Sequence, residues 1–293
     1  MQENINLIKK KLMSDFEVSG WSNILNPFLE SKAFDNITNK LSDLISQDRR
    51  FTPKFKNAFA PFIETSLSNL KVVIVNQDPY PKYGIADGLA FSCSNAGIEE
   101  SALKYIFDYI EKQSTNVYKR DPDLKRWANQ GVLLINTSLT CELNKIGTHK
   151  DIWKVFIEYL FEMINRMDKN IIFVLMGRKV EHWQLRLPKQ KIFKCPHPVS
   201  AIYGKGKWKV LAVVGGFPLW LSRSGQPVRR EKCSARGITH TKLEIPFGGP
   251  VFFLFVLTDF HKEGVLAFLE TDGQLVLVDP HAAVVLVAAK DEI

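Results

Sequence analysis

A carboxylate, a phenol and a phenyl ring fall within one proline-stiffened stretch, VNQDPYPKYGIADGLAFS (75–92), which overlaps the end of the apolar run KVVIV (71–75). They belong to Asp78, Tyr80 and Phe91. Farther along, Asn136 ends VLLIN (132–136), Gly177 follows IIFVLM (171–176), and His197 lies just past KIFK (191–194). A carboxylate, an amide, an adaptable glycine turn and an imidazole can together do acid–base or electrostatic work without a metal. Singly, each has a plainer use. Asp78 before Pro79 can initiate a turn, Asn136 before Thr137 can close one, His197 can sit on a surface loop between prolines, and Tyr80 and Phe91 can be core aromatics. Their joint placement changes those odds, because each polar group comes at the end of an apolar run.

Those runs have the length and β-branched content of strands buried on both faces. Between and before them, FDNITNKLSDLISQ (34–47), EESALKYIFDYIEKQ (99–113) and DIWKVFIEYLFEMINRM (151–167) carry apolar residues at three- and four-residue spacing, as amphipathic helices do. Strands alternating with helices predict an α/β fold: a three-layer α/β/α arrangement around a central, mostly parallel four-stranded sheet with right-handed crossovers. In such sheets ligands sit beyond the carboxyl ends of the strands, where Asp78, Asn136, Gly177 and His197 all fall. The pattern changes after Trp208. GGFPLWLSRSGQPVRREKCSARG (215–237) reads as loop, and VLAFLETDGQLVLVD (265–279) as a hairpin turning at Asp272-Gly273. Two regions are therefore expected, residues 1–208 and a β-rich C-terminal appendage, 209–293, of unknown function.

The formal charge of +8 points to a polyanionic partner. All of it lies in residues 1–207, where 30 basic side chains face 22 acidic ones, so a polyanion should meet the first region. Cys93, Cys141, Cys195 and Cys233 are far apart, without metal-finger or C-x-x-C spacing, and read as free thiols in a reducing compartment. This also counts against a zinc or iron–sulfur protein. The start, MQENINLIKKKLMSDF, lacks the apolar core of a signal peptide, and the most apolar run, VFFLFVL (251–257), is far shorter than the roughly 20 residues a membrane helix needs. An intracellular protein, cytoplasmic or nuclear, with no membrane association is expected.

NQDPYP (76–81) followed by GIADGLAFS (84–92), then WANQGVLLINTSLT (127–140) and PHPVSA (196–201), resemble in order and spacing the signature segments of the family 1 uracil-DNA glycosylases. The likeness covers about residues 20–208. It implies excision of uracil from DNA by hydrolysis of the N-glycosidic bond, leaving an abasic site, with no metal or cofactor and with the chain acting as a monomer on uracil-containing DNA. By the same resemblance Asp78 would orient the attacking water and stabilise the cationic sugar. His197 would hydrogen-bond uracil O2 and stabilise the leaving anion, with Gln77 near the same oxygen. Asn136 would pair with O4 and N3–H, a pattern that cytosine reverses. Phe91 would stack on the extruded base and Tyr80 would fill the space of a thymine methyl. Ser101, the Gly177-Arg178 turn and Ser200 would contact phosphates, with Val199 or Ile202 as the wedge that replaces the flipped base.

The chain departs from the family pattern in three places. Asn76 stands where glycine is usual, and Pro81 stands where histidine is usual, as in the poxvirus branch. The loop after His197 is shortened to HPVSA, so that an ungapped alignment would put Cys195 in the histidine's place. The pair of glutamates in SNAGIEE (94–100) also sits awkwardly for DNA. The poxvirus-like proline raises an alternative, a non-catalytic DNA-binding replication-accessory subunit with the same fold and a protein partner at residues 209–293. Asp78, Asn136 and His197 together favour the enzyme.

Overall fold

The computed structural model describes residues 2–94, 99–113, 119–167 and 169–201, and the backbones of five strands between 230 and 278. Helices α1 (Gln2–Ser19), α2 (Ser22–Leu29) and α3 (Lys32–Ser46) come first, followed by a short strand β1 (Phe51–Thr52) and helix α4 (Ala60–Glu64). The central sheet then alternates with helices. Strand β2 (Val72–Asn76) is followed by α5 (Ser101–Gln113), α6 (Lys125–Ala128) and β3 (Val132–Asn136). After a short β4 (Cys141–Glu142) come α7 (Lys150–Arg166), β5 (Ile172–Met176) and β6 (Lys191–Cys195). The order across the four-stranded sheet is β3-β2-β5-β6, with every pair parallel. The four apolar runs are thus the four strands, and flanking helices complete the expected α/β architecture.

β2 is central because all five of its residues are buried, which suits a strand covered on both faces. Val73 and Val75 join a core with Leu133, Ile135, Phe173 and Leu175, while Val72 and Ile74 are buried outside that cluster. Much of this core is aromatic. Phe59 and Phe62 of the α4 region, Phe16 of α1, and Trp153 and Phe156 of α7 meet largely edge to face, an arrangement that suits the ring quadrupole. Trp21 also sends its indole N–H to the Thr65 carbonyl at 2.8 Å, so its one polar atom is satisfied in the interior.

The described chain divides into two compact units, one of residues 1–105 and 121–200, the other of residues 106–120 and 201–293. The first holds the sheet. In the second, β7 (Arg230–Ala235) pairs with β8 (Ile238–Leu243), and β9 (Phe253–Asp259), β10 (Lys262–Thr271) and β11 (Gln274–Val278) form an antiparallel three-stranded sheet. Thr271 is the register partner of Gln274, as expected for strands joined at Asp272-Gly273, although those two turn residues lie outside the described ones. Cys93, Cys141 and Cys195 are buried. Among the described residues no helix is long and apolar enough to cross a membrane, and no cluster of side chains could hold a metal ion.

Candidate active site

Parallel pairing brings the last residues of β2 and β3 side by side, with Asn76 opposite Asn136. This register places two amides at the carboxyl edge of the sheet. Nδ2 of Asn76 donates to Oδ1 of Asn136 and to the Asp78 carbonyl, each at 2.9 Å. Since a carbonyl can only accept, these partners fix which end of the Asn76 amide is nitrogen. Its Oδ1 therefore faces Nε2 of His197 at 3.1 Å and must accept from it. The other ring nitrogen, Nδ1, accepts from the Val199 N–H at 3.3 Å. The imidazole is thus neutral, with its proton on Nε2, and burial lowers its pKa.

The loop that carries His197 leaves β6 at Cys195, whose carbonyl accepts from the Gly177 N–H at 2.8 Å. Gly177 has φ of +96°, and a Cβ there would lie 3.0 Å from that of His197. A side chain would both strain the turn and push on the imidazole. The Cys195 thiol is itself buried in β6, its pKa raised to about 12 by desolvation. It is the imidazole of His197, and not the Cys195 thiol, that reaches Asn76.

On the β2 side, Oδ2 of Asp78 accepts from the Gly147 N–H at 3.0 Å. Burial raises the pKa of this carboxyl to about 6, partly offset by Gly147 and by the nearby Gln77 and Ser138 side chains. Ser138 nevertheless directs its hydroxyl proton to the Thr140 carbonyl at 2.8 Å. Oδ1 of Asp78 is buried without a hydrogen-bond partner, and so is Nδ2 of Asn136. Buried polar atoms normally find partners, so an orphaned acceptor and an orphaned donor on two residues that both bond to Asn76 mark a candidate site for a polar ligand.

Phe91 lies beside this group, its ring centroid 5.7 Å from that of His197. It holds φ of +66°, a left-handed conformation that costs a non-glycine residue energy and persists only where neighbours enforce it. Asp87 supplies the enforcement. Its Oδ1 accepts from the Leu89 N–H, and its Oδ2 from the Ser92 hydroxyl, the Ser94 N–H and the Ser94 hydroxyl, at 2.5 to 3.1 Å. Gly88 lets the turn pass the Asn57 carbonyl, 2.0 Å from where a Cβ would be. The Tyr80 hydroxyl donates to the Phe91 carbonyl at 3.1 Å, tying the phenol between the two prolines to the Phe91 turn. Burial raises the Tyr80 pKa, which keeps that hydroxyl a donor.

The sequence profile described as "Uracil DNA glycosylase superfamily" matches residues 62–214. The chain belongs to that superfamily. A uracil-DNA glycosylase of Christiangramia forsetii is 31% identical over 191 residues, which is 64% of this chain and 86% of that protein. One of Francisella philomiragia is 37% identical over 161 residues, 54% of this chain and 73% of that protein. The crystal structure of mimivirus uracil-DNA glycosylase superposes with a TM-score of 0.56 at 25% identity, covering 61% of this chain and 67% of that one.

Within this glycosylase, the expected residues divide by position. Asp78, Asn136 and His197 are linked through Asn76; Phe91 and Gln77 adjoin them, and Tyr80 holds Phe91. Gln77 is partly exposed, its carbonyl accepting from the Ser138 N–H at 2.9 Å. Gly177 is buried against His197, while Arg178 and Ser101 are exposed. Val199 and Ser200 are half-buried just beyond the imidazole; Ile202 lies outside the described residues. Of the two glutamates before Ser101, Glu100 pairs with Lys82 at 3.1 Å, so its charge is countered within the chain. Asn76, Gly147 and Asp87 were not singled out as site residues. Gly147 belongs to a loop fixed at its start by Glu142, whose carboxylate meets Arg49 at 2.7 Å and Lys145 at 2.6 Å and titrates near 2 through those contacts.

Proposed function

We propose that this chain excises uracil from DNA by hydrolysing the bond between uracil N1 and the sugar C1′. The bonding electrons leave with uracil as an anion, the oxygen of a water molecule joins C1′, the proton that water sheds passes to the Asp78 carboxylate and on to solvent, and the product is an abasic site in an unbroken strand. Asp78 is the group that faces the cationic sugar and orients the water. With its carboxyl titrating near 6, it is an anion at neutral pH. The neutral His197 donates from Nε2 to uracil O2 as charge accumulates there. Asn136 donates from Nδ2 to O4 and accepts the N3–H proton at Oδ1, a pattern cytosine cannot meet. Phe91 stacks on the base, and Tyr80 closes the space a 5-methyl group needs. Phosphates are met by Ser101, the Gly177-Arg178 turn and Ser200, with Val199 or Ile202 as the wedge.

The observation that carries the reading is the pair of buried, unpartnered atoms, Oδ1 of Asp78 and Nδ2 of Asn136, beside a neutral imidazole. Preorganised partners for developing charge are typically worth about 3–4 kcal/mol each. The test is to incubate the full chain with a uracil-containing oligonucleotide in EDTA and then treat with alkali. Strand cleavage that depends on uracil and on Asp78 is expected; binding of the oligonucleotide without cleavage would overturn the enzymatic reading in favour of an accessory role. The reading takes the chain as a monomer in a reducing compartment, and assigns residues 209–293 to a protein contact outside the chemistry.

A further inference from the structure

Three hydrogen bonds converge on Asn76, and two engage the atoms that the proposed function assigns to the base. Its Oδ1 takes the Nε2 proton of His197, and its Nδ2 donates to Oδ1 of Asn136. Uracil presents to the same two residues a carbonyl, C2=O2, and the adjoining N3–H. That segment is a carboxamide with its C=O and N–H on one side, the same pattern of acceptor and donor that the asparagine side chain offers. Nε2 carries a single proton, so it cannot serve Asn76 and uracil O2 fully at once. The atom left open agrees: Nδ2 of Asn136, which would meet uracil O4, has no partner, and the Asn76 amide has no third group to match it.

We infer that Asn76 is a resident surrogate for the O2–N3 edge of uracil, so that a base entering the pocket must displace its amide from His197 and Asn136. This rests on the site reading above and adds to it a specificity-determining residue whose competition with the base outweighs its help in orienting His197 and Asn136. In the empty pocket the surrogate keeps the proton of His197 on Nε2 and the amide of Asn136 turned to read uracil. On base entry two made hydrogen bonds are broken for every two gained, which weakens retention of base and of free uracil. The remaining bond, from Nδ2 to the Asp78 carbonyl, is not contested by the base and tethers the displaced side chain.

Two hydrogen bonds at roughly 0.5–1.5 kcal/mol net each correspond to about a tenfold change or more in binding. In the full chain, Asn76→Ala and Asn76→Gly should therefore lower the inhibition constant of free uracil about tenfold, with a parallel fall in KM for uracil-containing DNA. A merely structural Asn76 would give the opposite sign, since loosening the pocket weakens uracil. An unchanged or raised inhibition constant overturns the proposal. A second measurement needs no variant. Saturating uracil should shift the side-chain NH2 resonances of Asn76 in the wild-type chain, assigned through backbone NOEs, and should raise their exchange with solvent. Shifts at Asn136 and Phe91 with none at Asn76 overturn the surrogate alone. No shift at any of these residues, together with no excision, overturns the site reading and the surrogate with it.

Discussion

At the start of the loop that leaves β2, Asp78 keeps one buried carboxylate oxygen without a partner; nine residues on, Asp87 has both oxygens engaged by four donors. The two residues have the same side chain and share the same short stretch. What separates them is the number of donors within reach. Asp87 is saturated and acts as a clamp on the strained Phe91 turn. Asp78 is held by Gly147 on one side only, so burial raises its pKa to about 6 and leaves it a charge with an open face. A buried carboxylate is a candidate for chemistry when its hydrogen bonding is incomplete, and a structural tie when it is complete.

Replacing each by asparagine should drive the two regions in opposite directions. Asp78→Asn should lower kcat for uracil excision by a hundredfold or more, taking about 3–4 kcal/mol for one preorganised charge partner. Its melting temperature at pH 7.5 should rise by a few degrees, because the ionised carboxyl is unfavourable where it is buried. Asp87→Asn should do the reverse to stability. Either orientation of the amide sets an NH2 group against a donor of Leu89 or Ser94, a defect of roughly 1–3 kcal/mol. Excision should fall about tenfold, through misplacement of Phe91 rather than loss of charge. Matching thermal shifts in the two variants would dissolve the contrast.

The pH dependence sharpens the same contrast. The folded pKa of Asp78, about 6, lies above the ordinary 3.8, so protonation favours the folded chain. The resulting stability is fully present below pH 3.8 and is lost as pH rises through 6. Activity runs the other way: kcat/KM, which reports the free enzyme, should climb through about pH 6 as the carboxylate forms and level off above it. In Asp78→Asn both trends should vanish from the residual rate and from the melting curve. A kcat/KM that stays level from pH 5 to 8 in the wild type would place the charge elsewhere.

The contrast between these aspartates was only half legible in the sequence. The strands could be read because four apolar runs are long enough for no other buried element of that composition, and β3 coincides with its run. β2 runs from Val72 to Asn76, one residue beyond the apolar run at 71–75. That shift matters, since it makes Asn76 the register partner of Asn136 and a member of the site. In sequence Asn76 was only a departure from glycine, because its meaning arises from a pairing 60 residues away. Gly147, 69 residues from the carboxylate it binds, carries no signal in KIGTHK beyond a lone turn glycine. Asp87 was the readable omission. Its donors lie within seven residues, and ADGLAFS places a serine five positions after the aspartate.

The smallest effect concerns a second pair of like residues, His197 and His149. Burial lowers both pKa values, that of His149 to about 4, so a depressed pKa by itself does not mark the site. Trp153 donates to the Thr140 hydroxyl at 2.8 Å, and that hydroxyl is hydrogen-bonded to Nδ1 of His149 at 2.9 Å. Nε2 of His149 is buried and without a partner, so charging this imidazole is costly. A depressed folded pKa means stability that is full above the unfolded value of 6.5 and is lost as pH falls towards 4. His149→Gln should therefore flatten the decline in melting temperature between pH 6.5 and 4, while changing excision at pH 7.5 by less than about threefold, within the scatter of context effects away from a site. His197→Gln should instead abolish most excision and, since its own depressed pKa contributes to the acid limb, remove only its share of that limb. A large loss of excision in His149→Gln would show that the chemistry extends from the sheet edge into the buried tie beneath the Gly147 loop.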